Sequence, residues 1–270
     1  MPSPVLAHAF GQRYDLPLPL WLFISSGAVT VMISFIIIAL FARPAKEKTT
    51  PIRLNLLKNP IGKFLIHPIS VGLIRFVFLA LFLLILTTGF WGLQNPLNNI
   101  SVVMVWVIAW VGLAFICALF GNFWALINPW NTIFLYTQNG YKKITGNSFS
   151  KYQKYPIKFG YWPSCIFFFC FAWLEINWSG SNTPSSVAAA LSIYSVITFA
   201  GMWLYGRETW LKYGECFNVV YSLFSRFSIT EGQINSEKQE WFLRPPGIGL
   251  LNEDKNFPES TLVFFILLLL

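Results

Sequence analysis

Five apolar runs, at 20–41, 71–91, 100–120, 160–176 and 187–205, constrain this chain more than any motif in it. Crossing a hydrocarbon core of about 30 Å takes about 20 mostly apolar residues, and with no water available the backbone must close its own hydrogen bonds as a helix. Charged residues are only 11% of the chain, against about 25% in a soluble domain, and hydrophobic residues are 55%. A water-facing globule is excluded. The expected fold is all-α, a polytopic transmembrane helical bundle forming one domain over residues 1–270. The fourth run is the shortest of the five full spans. A sixth, 261–270, would reach only about 15 Å and reads as a truncated span of a longer protein.

Basic charge orients the bundle. Every Lys and Arg except Arg13 and Arg75 falls in one of three stretches: Arg43 to Lys63 after the first run, Lys142 to Lys158 after the third, and Arg207 to Lys255 after the fifth. The intervening loops, 92–99 and 177–186, carry no basic residue. Cytosolic loops keep Lys and Arg and translocated loops shed them, so the N-terminus is expected outside. The net charge of +8 is then mainly a topology signal, with attraction to anionic lipid secondary. The lipid bilayer is the expected partner, and no folded basic domain is left to bind nucleic acid.

Charges at membrane depth are costly unless paired or hydrated, which makes them candidates for function. Arg75 lies near the basic end of the second run, where its long side chain can snorkel. Glu175 ends a Phe-rich run near the outer face and is a candidate proton acceptor or metal ligand. His8, with Arg13 and Asp15, forms a candidate outer metal cluster. His67 would lie inside, so the two histidines cannot share one site. Cys117, Cys165, Cys170 and Cys216 form no CxxC or disulfide framework.

Residues 206–228 project at 100° per residue into two faces. Trp210, Tyr213, Phe217, Val220, Tyr221, Phe224 and Phe227 gather on one, and Glu208, Lys212, Glu215, Ser222 and Arg226 near the other. This predicts a cytosolic amphipathic interfacial helix, lying on the membrane surface or packed against the bundle, with the alternative that Arg207, Glu208 and Glu215 face a cavity in the bundle. Asn128-Pro129-Trp130-Asn131 and the 243–249 loop (LRPPGIG) each predict a turn or re-entrant bend, because proline fixes φ and removes a donor. There is no GxSxG, HExxH, P-loop or GxGxxG unit, so any active site must be built from helix ends and loops.

The strings HAFGQRYDLPLPLWL, NPWNT, FGYWPSCIFFFCFAWLE, TFAGMWLYGRETWLKYGECFNVVYSLFSRF and FLRPPGIGLL, in this order, resemble the bacterial inner-membrane proteins known as fenitrothion hydrolase. The resemblance implies a multi-pass protein of the bacterial inner membrane, with its N-terminus periplasmic, that acts on organophosphate esters. Phosphotriester hydrolysis needs an activated water and a group to stabilise charge on the phosphoryl oxygen. The family strings mark Arg207, Glu208 and Glu215 as candidate catalytic residues, with Glu175 as a further candidate; a divalent metal on His8 and Asp15 would fit that chemistry. Two other classes remain open. One is a permease-like bundle with discontinuous helices around a polar site, and the other is a non-catalytic subunit that positions additional membrane subunits.

Overall fold

The computed structural model describes residues 54–147, 149, 153–235, 238–251 and 266, with helical positions at 21, 22, 25–29, 31, 32 and 35. Two compact units divide the chain, one of residues 1–6 and 10–51, the other of residues 7–9 and 52–270. The second unit holds the bundle. Most of the 20–41 and 261–270 runs lies outside the described residues, as do His8, Arg13 and Asp15.

The bundle is built on helices, with few strands. After the short α1 (Pro60–Leu65) come α2 (Pro68–Trp91) and α3 (Ile100–Phe120). Two shorter helices follow, α4 (Phe123–Ile127) and α5 (Pro129–Thr145), then α6 (Trp162–Asn177), α7 (Pro184–Tyr205), α8 (Arg207–Tyr213) and α9 (Cys216–Phe224). Three of these, α2, α3 and α7, are long and apolar enough to cross a membrane. At 24, 21 and 22 residues they extend about 32 to 36 Å at the helical rise. The 160–176 run becomes α6, whose 16 residues reach about 24 Å.

The starts of α2 and α7 lie three residues before the apolar runs begin. Pro68 and Pro184 occupy the first turn, where a missing N–H costs nothing, and His67 accepts from the Ile69 N–H at 3.4 Å as the cap of α2. His67 is thus a helix cap. Where α2 meets α7, a Cβ on Gly89 would come within 2.6 Å of the Ala188 Cβ, so only glycine permits this approach. Residues Met104–Gly112 of α3 form a π-helix. Tyr221 of α9 donates its hydroxyl to the Ala109 carbonyl in that stretch.

The continuous interfacial helix expected over 206–228 is corrected by the structure. That segment is two helices, α8 and α9, separated at Glu215, which leaves the helical region at φ −83°, ψ 109°. Trp210, Tyr213, Cys216, Val219, Val220 and Tyr221 are buried, so the pair packs inside the bundle rather than lying on a surface. The α4–α5 pair is broken likewise, at Asn128 with φ −50° and ψ 114°. A three-stranded antiparallel sheet of order β1-β3-β2 joins β1 (Leu54–Asn55), β2 (Thr230–Asn235) and β3 (Lys238–Leu243). Leu54 pairs with Leu243 and Asn55 with Phe242.

Candidate functional site

The two helix breaks meet, and the side chain at their meeting point is Glu215. At each break a single extended residue caps the helix after it. Asn128 Oδ1 accepts from the Asn131 N–H at 3.0 Å, while Glu215 accepts from the Phe217 and Asn218 N–H groups at 3.0 and 2.8 Å. These are the orphan donors that any helix start exposes, and α9 directs two of them at one carboxylate.

Three more donors complete the cage. Tyr194 donates its hydroxyl to Glu215 Oε1 at 2.6 Å, and Trp124 Nε1–H and Asn128 Nδ2–H reach Oε2 at 3.1 and 3.3 Å. A carboxylate offers about four lone-pair sites, so five donors saturate it. Backbone and indole N–H groups can only donate, and the arrangement therefore matches the ionised form. Glu215 is fully buried, and among the described residues no cation forms an ion pair with it. Its charge is balanced by dipoles: two N–H groups at the start of α9, the indole, the amide and the phenol.

The cage sits halfway along the long helices. Tyr194 is midway through α7, and its neighbour Ser195 accepts from Trp130 Nε1 at 2.7 Å. Trp130 also packs edge-on against Phe82, in the middle of α2, with ring centroids 5.8 Å apart. The Tyr194 hydroxyl accepts from the Cys216 N–H at 3.2 Å while donating to Glu215, so it is held from both sides. At the C-terminal end of α4 the break at Asn128 leaves carbonyls with no N–H a turn ahead to receive. Arg75 Nε donates to the Leu126 carbonyl at 3.3 Å, placing a cation at the C-terminal end of α4.

An apolar cavity of about 140 Å³ adjoins the cage, with Phe82, Trp110, Trp124, Trp130, Phe217 and Tyr221 among its walls. Trp124, which donates to Glu215, thus forms part of both. A wide cleft of about 1430 Å³ lies beside Arg75 and Leu126, and Lys63, His67, Arg226 and Glu240 also line it.

The carboxylates singled out from the sequence do not come together. Glu208 is exposed and pairs with Arg207 at 3.2 Å, and Arg207 also donates to Asn131 Oδ1 at 3.1 Å. Glu175 lies near the C-terminal end of α6, eleven residues beyond Ser164, which bonds the Tyr213 carbonyl; that is about 16 Å along the helix. Of the three among the described residues, Glu215 alone is fully buried. Tyr194, Trp124 and Asn128, which complete its cage, were not singled out for this role from the sequence. Among the described residues no three His, Cys, Asp or Glu side chains gather to hold a metal ion. Comparison with protein-family models, curated proteins and solved structures finds no match to this chain.

Proposed function

We propose that this chain is a multi-pass membrane permease in which two re-entrant broken helices meet at Glu215, a carboxylate that couples their positions to binding of a proton or cation. The single observation that carries the reading is the cage itself. Backbone broken inside hydrocarbon is tolerated only where protein or a polar cavity satisfies it, and an acid at that depth is costly enough to need a use. Here the free N–H groups of α9 are directed at Glu215, and the free carbonyl of α4 is met by Arg75. Helix halves whose ends face ions near the midplane are the usual construction of a transport site.

The coupling follows from which elements the cage joins. Trp124 and Asn128 belong to the broken α4–α5 pair, Tyr194 to α7, and the remaining donors to α9. Neutralising Glu215 weakens every bond at once and leaves fewer acceptor sites than there are donors around it. The hydroxyl of Tyr194 is the one partner that can reverse its role and accept from a protonated Glu215. The α4–α5 pair is thereby freed to move against α7. The cleft beside Arg75 supplies a vestibule on the basic side.

Basic-loop alternation supports placing this vestibule in the cytosol of a bacterium, with the N-terminus periplasmic and the 20–41 and 160–176 runs completing five spans across the inner membrane. The test is access. In the full chain reconstituted in vesicles, the rate at which Asn131→Cys reacts with an impermeant thiol reagent should change with pH several-fold beyond the change shown by a free thiol, and Glu215→Gln should bring it back to free-thiol behaviour. A free-thiol pH profile with Glu215 in place would overturn the reading.

A second reading, phosphotriester hydrolysis, rests on the family resemblance and on the exposed Arg207–Glu208 pair, which offers an acid and a cation 3.2 Å apart. Cleavage of an aryl phosphotriester by the purified full chain, lost in Glu208→Gln, would support it. Turnover unaffected by that substitution would remove Glu208 from the mechanism.

A further inference from the structure

We infer that the apolar cavity beside the cage is a binding site for one small nonpolar molecule, about the size of benzene, that enters from the membrane between α2 and α3. Volume sets the class. A cavity of about 150 Å³ lined by Leu, Ile and Phe stays dry and takes benzene or xenon, and this one measures about 140 Å³. Its walls offer no charged side chain, and three of its four polar aromatic side chains are already engaged: Trp124 by Glu215, Trp130 by Ser195 and Tyr221 by the Ala109 carbonyl. A water needs two to four polar partners and would not find them there, whereas a nonpolar guest gains close contact with ring faces and edges.

Two further features converge on the same space. The π-helix of α3 contributes Met104, Val105, Ile108 and Ala109 to the wall, and such widened turns frequently mark functional positions. Pro129, at the break between α4 and α5, forms another part of it. On the membrane side the wall is made by Leu81 and Ile85 of α2 and the half-exposed Ile108 of α3, so a guest dissolved in lipid meets the opening without crossing water. Occupancy would press on Trp124 and Phe217, and Trp124 holds Glu215. The site does not depend on the permease reading; it requires only the cavity.

Xenon and toluene are the probes. Crystals of the full chain under xenon pressure should show a xenon peak bounded by Phe82, Trp110, Trp130 and Phe217, and toluene should raise the thermal midpoint of the protein in nanodiscs. Leu191→Trp and Ala109→Leu, which fill the cavity from two sides, should each weaken toluene binding by roughly tenfold or more. Absence of the xenon peak overturns the inference even if neither variant folds. So does a folded variant that keeps the toluene shift of the parent chain.

Discussion

Asn128 donates to Glu215 across 3.3 Å, and with that bond the break in one helix pair is fastened to the break in another. The two residues are 87 positions apart in sequence, yet each caps the helix that follows it and each is the one extended residue between two helical halves. The fastening is polar and lies in a core rich in aromatic packing. Its removal should therefore be felt far more strongly than its area suggests.

Glu215→Gln keeps the shape but replaces one oxygen with an NH2 group. Either orientation sets that group against a donor: the Phe217 N–H on one side, or the Trp124 and Asn218 N–H groups on the other. Unfolding in detergent should show a loss of about 1 to 3 kcal/mol. Glu208→Gln, at an exposed side chain, should leave the transition unmoved. Equal behaviour of the two variants would sink the cage as a stabilising feature.

Tyr194→Phe removes the hydroxyl that bonds Glu215 and accepts from the Cys216 N–H, at a cost of about 1 to 2 kcal/mol. Because both residues share one network, the double variant with Glu215→Gln should lose less than the sum of the single losses. Strict additivity in the double-mutant cycle would mean that the two side chains do not act together.

Packing of α8 on α7 depends on Gly201, where a Cβ would meet the Trp210 ring at 2.1 Å. Gly201→Ala should destabilise by about 1 to 3 kcal/mol through overpacking. Gly140, in α5, has nothing within 4 Å of its would-be Cβ, and Gly140→Ala should instead stabilise by about 0.5 to 1 kcal/mol. Thermal scans of the two variants should move in opposite directions.

Leu97 follows the C-terminus of α2 and is 85% exposed, whereas Ile144 lies in the last turn of α5 and is 86% exposed, which makes them suitable reporters of sidedness. In a background carrying Cys170→Ser, impermeant labelling of intact cells should reach Leu97→Cys and spare Ile144→Cys until the membrane is opened. Labelling of both from the same side would contradict the orientation drawn from the basic loops.

The long helices were legible because hydropathy alone suffices over 20 residues: the runs at 71–91, 100–120 and 187–205 became α2, α3 and α7, with starts moved only by Pro68 and Pro184. The site was much less legible. Projection of 206–228 at 100° per residue assumes one continuous helix, and the extended backbone of Glu215 resets the phase, so a core carboxylate was drawn beside solvated charges. Local signals were nonetheless present. Asn128 before Pro129 has the order of a cap and a first helical residue, and Gly214-Glu215 before an apolar stretch has the form of a stop followed by a new start. What no local pattern could supply is the meeting of the two breaks, because it depends on tertiary packing between segments 87 residues apart.

The small sheet sets an order of events during synthesis. Leu54 and Asn55 leave the ribosome with no partner, since the strand that receives them begins at Lys238. At about 5 to 20 residues per second the wait lasts roughly ten to forty seconds, during which every helix from α1 to α9 is made. The pairing of Leu54 with Leu243 can close only after α1 to α9 have been made, which makes it a latch that records synthesis of the chain between its two strands.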